Sequence, residues 1–194
     1  MGKAMEVTIE REGASVGAVS NLRLRLRRET RDEHARVDAA FGALALHERE
    51  GLALFLTGHA LAHDALGDPL DLRGAMVADL RALGVPVPPA GTLAPLAVPA
   101  LSAAYVLGGA HFGKRQMRRA WARTRDPRVG AAGAYLAAES DRLSWPGTLE
   151  ALARDTGNEA RDLAVVEGAR RIFGLFLHAL DVSRSAVEER LWTR

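Results

Sequence analysis

Apolar residues in this chain recur three and four positions apart along most of its length. That is the period of an amphipathic helix with one buried face. Strand signals are nearly absent: β-branched residues are sparse, and the only short alternating run is Met5 to Glu10. The expected fold is therefore all-α, a single compact multi-helix domain. At 194 residues, 48% of them hydrophobic, the chain can bury a core of its own.

The first stripe begins after Ser20, a residue type that caps helix N-termini. Leu26, Thr30, His34, Val37, Phe41 and Leu44 then fall on one face. Further helices are expected over about Glu48–Leu66, Leu70–Leu83, Ala100–Arg125, Val129–Arg142, Trp145–Asp155 and Glu159–Leu180. A last one is expected in the tail, Ser183–Trp192. The second turns Leu52, Phe55, Leu56, His59 and His63 inward, and the third stops at Gly84, ahead of a run of prolines. Residues 1–20 are mixed and Gly-punctuated, with no apolar run of the secretory type, and read as a loose arm before a helical domain over 21–194. From Val85 to Gly113 there is no Asp, Glu, Lys or Arg. Five prolines interrupt that stretch, so it reads as a Pro-rich loop entering a buried helix, not as a membrane span.

Composition narrows the chemistry. There are no cysteines, which excludes disulfides, thiolate zinc sites, iron–sulfur clusters and cysteine nucleophiles. Any iron held by this chain would fall to histidine. Net charge is only +2, and Lys3 and Lys114 are the only lysines among the 26 cations.

His34 carries the strongest constellation. It lies in the apolar stripe, and Asp38 follows one turn later. A carboxylate there can hold one imidazole nitrogen and leave the other as a lone-pair donor for a metal. Arg27 and Arg31, seven and three residues earlier, flank it. An imidazole on an apolar face edged by cations suits an amphipathic anionic cofactor such as heme: an iron to bind, a ring to bury, propionates to neutralise. Spacing alone equally describes a core histidine beside a solvated charged edge.

A second constellation is Tyr105-Val-Leu-Gly-Gly-Ala-His-Phe-Gly-Lys114. Gly109 and Gly113 share one helix face, where a flat ligand or a second helix can approach closely. Gly108, Gly113 and Lys114 nearly spell a phosphate-binding loop, but Arg115 replaces the hydroxyl residue and no βαβ pattern surrounds it. Gly13-Ala-Ser15-Val-Gly17 resembles a nucleophile elbow only by chance, since no sheet supports it. His59 and His63 are four apart with no obvious third ligand and read as packing or surface. Arg115, Arg118, Arg119, Arg123, Arg125 and Arg128, with Trp121 among them, suit nucleic-acid phosphates, an acidic redox protein or plain solvent.

Taken together, Leu26-Arg-Arg-Glu-Thr30-Arg-Asp-Glu-His34-Ala-Arg-Val-Asp38 resembles the proximal helix of heme oxygenases, nearest to the bacterial biliverdin-forming type associated with bacteriophytochromes. Leu52-Ala-Leu-Phe55-Leu-Thr-Gly-His59, Tyr105 to Gly113, Trp145 and Ala169-Arg-Arg-Ile-Phe173 support it in order and spacing, over about residues 21–180. The resemblance implies His34 as iron ligand and Asp38 as its partner. It implies Arg27, Arg31 and Arg170 or Arg171 as propionate contacts, and Gly109 and Gly113 as the distal glycines over the ring. It further implies a heme-degrading monooxygenase releasing biliverdin, carbon monoxide and iron, with heme as substrate and cofactor. An external electron donor (a ferredoxin or reductase), a phytochrome receiving biliverdin and a cytoplasmic setting go with it, and nucleic acid and membrane do not. Ala110 stands where the family commonly has Asp or Ser, and Lys114 where a third glycine is common. Both bear on turnover, and His111 offers a sixth ligand. The alternatives are a non-catalytic heme- or tetrapyrrole-binding protein of the same fold and a helical nucleic-acid-binding domain.

Overall fold

Thr30 divides the first helical stripe in two. In a computed structural model of the chain, α1 (Asn21–Glu29) and α2 (Arg31–Gly42) meet at Thr30, whose φ of −112° and ψ of 9° leave the helical region. Its buried hydroxyl donates to Leu26 O over 2.7 Å, a back-bond that bends helices. The backbone ladder still crosses the joint, with Thr30 N–H donating to Leu26 O and His34 N–H to Thr30 O, each over 2.9 Å. The structure describes residues 21–139, 144–154 and 158–188. The expected arm over 1–20 and the end of the tail lie outside them.

The remaining helices are α3 (Arg49–Ala65), α4 (Arg73–Leu83), α5 (Ala100–Trp121), α6 (Pro127–Ala131), α7 (Ala134–Ala137), α8 (Trp145–Arg154) and α9 (Glu159–Glu188). No strand occurs among the described residues, so the all-helical expectation holds there. Helix α9, 30 residues and about 45 Å long, is the spine: α1, α2, α3 and α5 all pack on it. The expected break before a tail helix does not occur. From Leu175 to Glu188 there is no Gly or Pro to stop the helix. Ser183 turns inward and donates to Ala179 O over 2.7 Å.

One apolar cluster links these helices, with Leu26, Phe41, Phe55, Leu61, Leu80, Leu152, Val166 and Ile172 in it. Close approach of α5 and α9 requires Gly168. A Cβ there would lie 2.9 Å from Pro99 Cδ and 3.0 Å from Ser102 Cβ. The Ser102 hydroxyl donates to Val165 O across the same contact, over 2.8 Å.

Helix α4 ends as expected at Gly84, left-handed with φ +65°. The proline-rich stretch that follows is a strapped loop. Leu96 N–H donates to Ala65 O over 2.8 Å, Gly91 N–H to Asp64 Oδ2 over 2.7 Å, and Arg73 Nη2 to Pro88 O over 3.3 Å. Among the described residues no helix is long and apolar enough to cross a membrane.

The helix expected over Val129–Arg142 is instead two short ones. Gly133 separates them because the Trp121 ring occupies its side-chain space, 2.8 Å from where a Cβ would sit. Helix α5 likewise stops at Trp121, short of Arg125, since Pro127 opens α6 and Asp126 is held extended before it.

Candidate functional site

The site is a cavity of about 970 Å³ bounded by α2, α3, α5 and α9, with α7 and the start of α8 at its side. This is the upper end of the roughly 300–1,000 Å³ usual for small-molecule sites. Most of its wall is apolar: Val37, Phe41, Phe55, Val106, Met117, Trp145, Phe173 and Phe176 face it.

Helix α2 brings His34 and Asp38 to one wall, as their spacing predicts. His34 Nδ1 lies 3.2 Å from Asp38 Oδ2. The imidazole meets Phe173 edge-on, with ring centroids 5.4 Å apart. Asp38 thus holds one nitrogen and Nε2 is left for a ligand, the arrangement metal-bound histidines show. Both side chains are more than half exposed, so the pair stands at the cavity mouth.

Helix α5 brings Gly108, Gly109, Ala110 and Gly113 to the cavity wall. Two reasons for glycine were open, and the structure separates them. At Gly108 a Cβ would sit 3.2 Å from Trp145 Cε3, a tight contact, so packing against α8 favours the small residue. At Gly109 the nearest foreign atom is Trp145 Cζ3 at 3.9 Å, ordinary contact, and at Gly113 it is the flexible tip of Met117 at 3.4 Å. The protein's own atoms do not demand glycine at these two positions. What their missing side chains leave is room on the cavity side.

The arginines that the resemblance implies as propionate contacts, Arg27, Arg31, Arg170 and Arg171, stand outside the cavity lining. Arg31 is exposed and 3.5 Å from Asp32. Arg27 is exposed on α1. Arg171 donates to Ala97 O over 3.2 Å. Arg170 donates to Glu29 O over 3.1 Å and lies 3.7 Å from Glu33, tying α9 to the α1–α2 joint. Among the described lining residues, Lys114 is the only lysine or arginine. Its ammonium donates to Ala138 O over 2.7 Å and stands 5.0 Å from the centre of the Tyr135 ring. Burial lowers its pKa, Arg118 adds to that, and Glu139 opposes it. The side chain of His111 lies outside the described residues.

His59 and His63, read from the sequence as packing or surface, both line the cavity. His59 is enclosed by the rings of Phe55, Phe41, Phe176 and Tyr135, at centroid distances of 4.1, 4.8, 5.3 and 5.6 Å. Burial lowers its pKa to about 3, the charges of His63 and Lys114 push the same way, and the Phe55 carbonyl opposes them. Its Nδ1 is 2.9 Å from Phe55 O. His63 Nδ1 is 3.1 Å from Asp68 Oδ1. That carboxylate also accepts the N–H groups of Leu72 and Arg73, each over 3.0 Å. Burial pushes Asp68 up, but these bonds outweigh it and its pKa is lowered. Among the described residues no group of three His, Cys, Asp or Glu could hold a metal. The signal for His59 and His63 was their place on the inward face, shared with Leu52 and Phe55.

The arginine cluster after Lys114 is committed in part to structure. Arg118 Nε donates to Leu136 O over 2.6 Å, and Trp121 Nε1 to Val129 O over 2.7 Å. The one tryptophan among the cations therefore packs against Gly133, where a base-stacking role would need its face.

No protein-family model matches the chain, and no curated protein does either.

Proposed function

We propose that this protein binds heme through His34 and opens it oxidatively to biliverdin, carbon monoxide and iron, taking electrons from an external donor. One observation carries the reading. An imidazole whose Nδ1 sits 3.2 Å from Asp38 and two glycines that packing does not require line one largely apolar cavity. The donor set fits heme: histidine nitrogen for the iron, apolar walls for the ring, and Gly109 and Gly113 for its face. Charge fits less well, since Lys114 is the cation at hand and the arginines point elsewhere. When bound, heme supplies both the iron that activates oxygen and the ring that is cut. The chain's own work is to orient and exclude: Asp38 holds His34 in one tautomer, and the aromatic wall keeps bulk water from the ring.

Ala110, on the cavity wall with no acidic side chain, favours a second reading: heme or another tetrapyrrole is bound without turnover. Hemin titration tests the first step. The wild type is expected to develop a Soret band that His34→Ala loses or shifts, and no band in the wild type would sink both readings. Reductant under oxygen then separates them. Biliverdin absorption supports turnover, whereas an unchanged heme spectrum supports binding alone.

A further inference from the structure

The cavity wall built by α3 and α7 is more polar than a heme requires. His59 Nδ1 faces Phe55 O, which can only accept. Nδ1 therefore carries the hydrogen, and in the neutral ring Nε2 is left as a bare acceptor. His63 repeats the pattern one turn later, its Nδ1 held by the Asp68 carboxylate. The polar contacts of both rings within the protein run through Nδ1, and both rings line the cavity. Beside them stands Tyr135, its ring 5.6 Å from that of His59. Burial raises the pKa of its phenol, so the hydroxyl stays a donor. The buried carboxylate of Asp79 fixes it in place by accepting the N–H groups of Ala134 and Tyr135, each over 2.8 Å.

A heme whose iron sits on His34 leaves this wall unmet. Its four nitrogens hold that iron, and its edge is methyl, vinyl and carboxylate, with no N–H to give. A ring-opened, metal-free tetrapyrrole differs at these points: it carries pyrrole and lactam N–H donors and lactam oxygens. We propose that His59 Nε2, with His63 Nε2 beside it, accepts N–H groups of a linear tetrapyrrole in this cavity, while the Tyr135 hydroxyl serves a lactam oxygen. His59 is then the residue that distinguishes the opened ring from the closed one. This inference rests on the cavity being a tetrapyrrole site, and it names what holds the product there.

The test is a pair of titrations, biliverdin and hemin, followed by absorbance. His59→Phe keeps a ring in the cage and removes the acceptor. Biliverdin affinity is expected to fall about tenfold, the worth of one buried hydrogen bond, while hemin affinity stays within about twofold. Tyr135→Phe, which changes one atom and keeps the fold, is expected to weaken biliverdin alone in the same way. Unchanged biliverdin binding in both variants overturns the inference, as does an equal loss for both ligands. Hemin binding without biliverdin binding in the wild type overturns this inference only, whereas binding of neither overturns the tetrapyrrole reading as well.

Discussion

Glycine is the residue at which packing and function can be told apart here. Gly109 and Gly108 are neighbours on one helix, yet only Gly108 has a ring tight against it. Gly109→Ala is expected to raise stability by about 0.5–1 kcal/mol, because alanine loses less backbone entropy in a helix. The same change should weaken hemin binding, since the new methyl enters the cavity. Gly108→Ala should instead lower stability through Trp145. Urea unfolding of both variants and hemin titration of Gly109→Ala check the set, and a destabilised Gly109→Ala would refute the assignment. His59 yields a pH prediction at the same scale. Its pKa is lowered from 6.5 to about 3 on folding, so below about pH 6.5 the unfolded chain takes the proton first. Stability is then lost as pH falls from about 6.5 toward 3, at up to about 1.4 kcal/mol per pH unit. His59→Phe removes that contribution. Urea midpoints at pH 7 and pH 4.5 should diverge less in the variant than in the wild type. The inward placement of His59 was legible in the sequence. Its chemistry was not, because the four rings around it come from α2, α3, α7 and α9.

At the scale of an element, the segment after α6 depends on a residue far away in the chain. Helix α7 has four residues and cannot stand alone. Asp79 on α4 holds it by accepting two of its N–H groups. Burial pushes this carboxyl up and the two bonds oppose that. Asp79→Ala would strand two buried donors, at about 1–3 kcal/mol each before relaxation. A drop of that order in unfolding free energy is expected, with loss of the near-ultraviolet signal of Tyr135. Full retention of both would show that α7 is held by packing alone. No local pattern announces this cap, since donor and acceptor are 55 residues apart. The α1–α2 joint is similar. Periodicity predicts one helix through Thr30, and it is the buried back-bond to Leu26 that bends it.

Across the whole molecule, the cavity is where a ligand can add most to stability. A cavity of about 970 Å³ with largely apolar walls offers a ligand extensive contact. Any ligand that binds only the folded chain stabilises it by mass action, by about 2.7 kcal/mol at a hundredfold excess over Kd. Saturating hemin is therefore expected to raise the melting temperature of the wild type by several degrees. His34→Ala should lose most of that rise while melting, without ligand, close to the wild type, because its side chain is mostly exposed. An equal rise in both would place the ligand away from His34.

By itself the sequence determined that the chain is helical, and it set Asp38 one turn on from His34. Each follows from the 3.6-residue period, which is local. It also determined that no thiolate can hold a metal, since there is no cysteine. The tertiary structure alone decided which charges reach the cavity. Arg27, Arg31, Arg170 and Arg171 are near His34 by spacing or resemblance, yet they turn to backbone carbonyls, carboxylates or solvent. Long flexible side chains take whatever partner the assembled helices offer, and spacing along one helix cannot say which. It also decided that Lys114, His59 and Tyr135 share one wall, because three separate helices must be packed before their side chains meet.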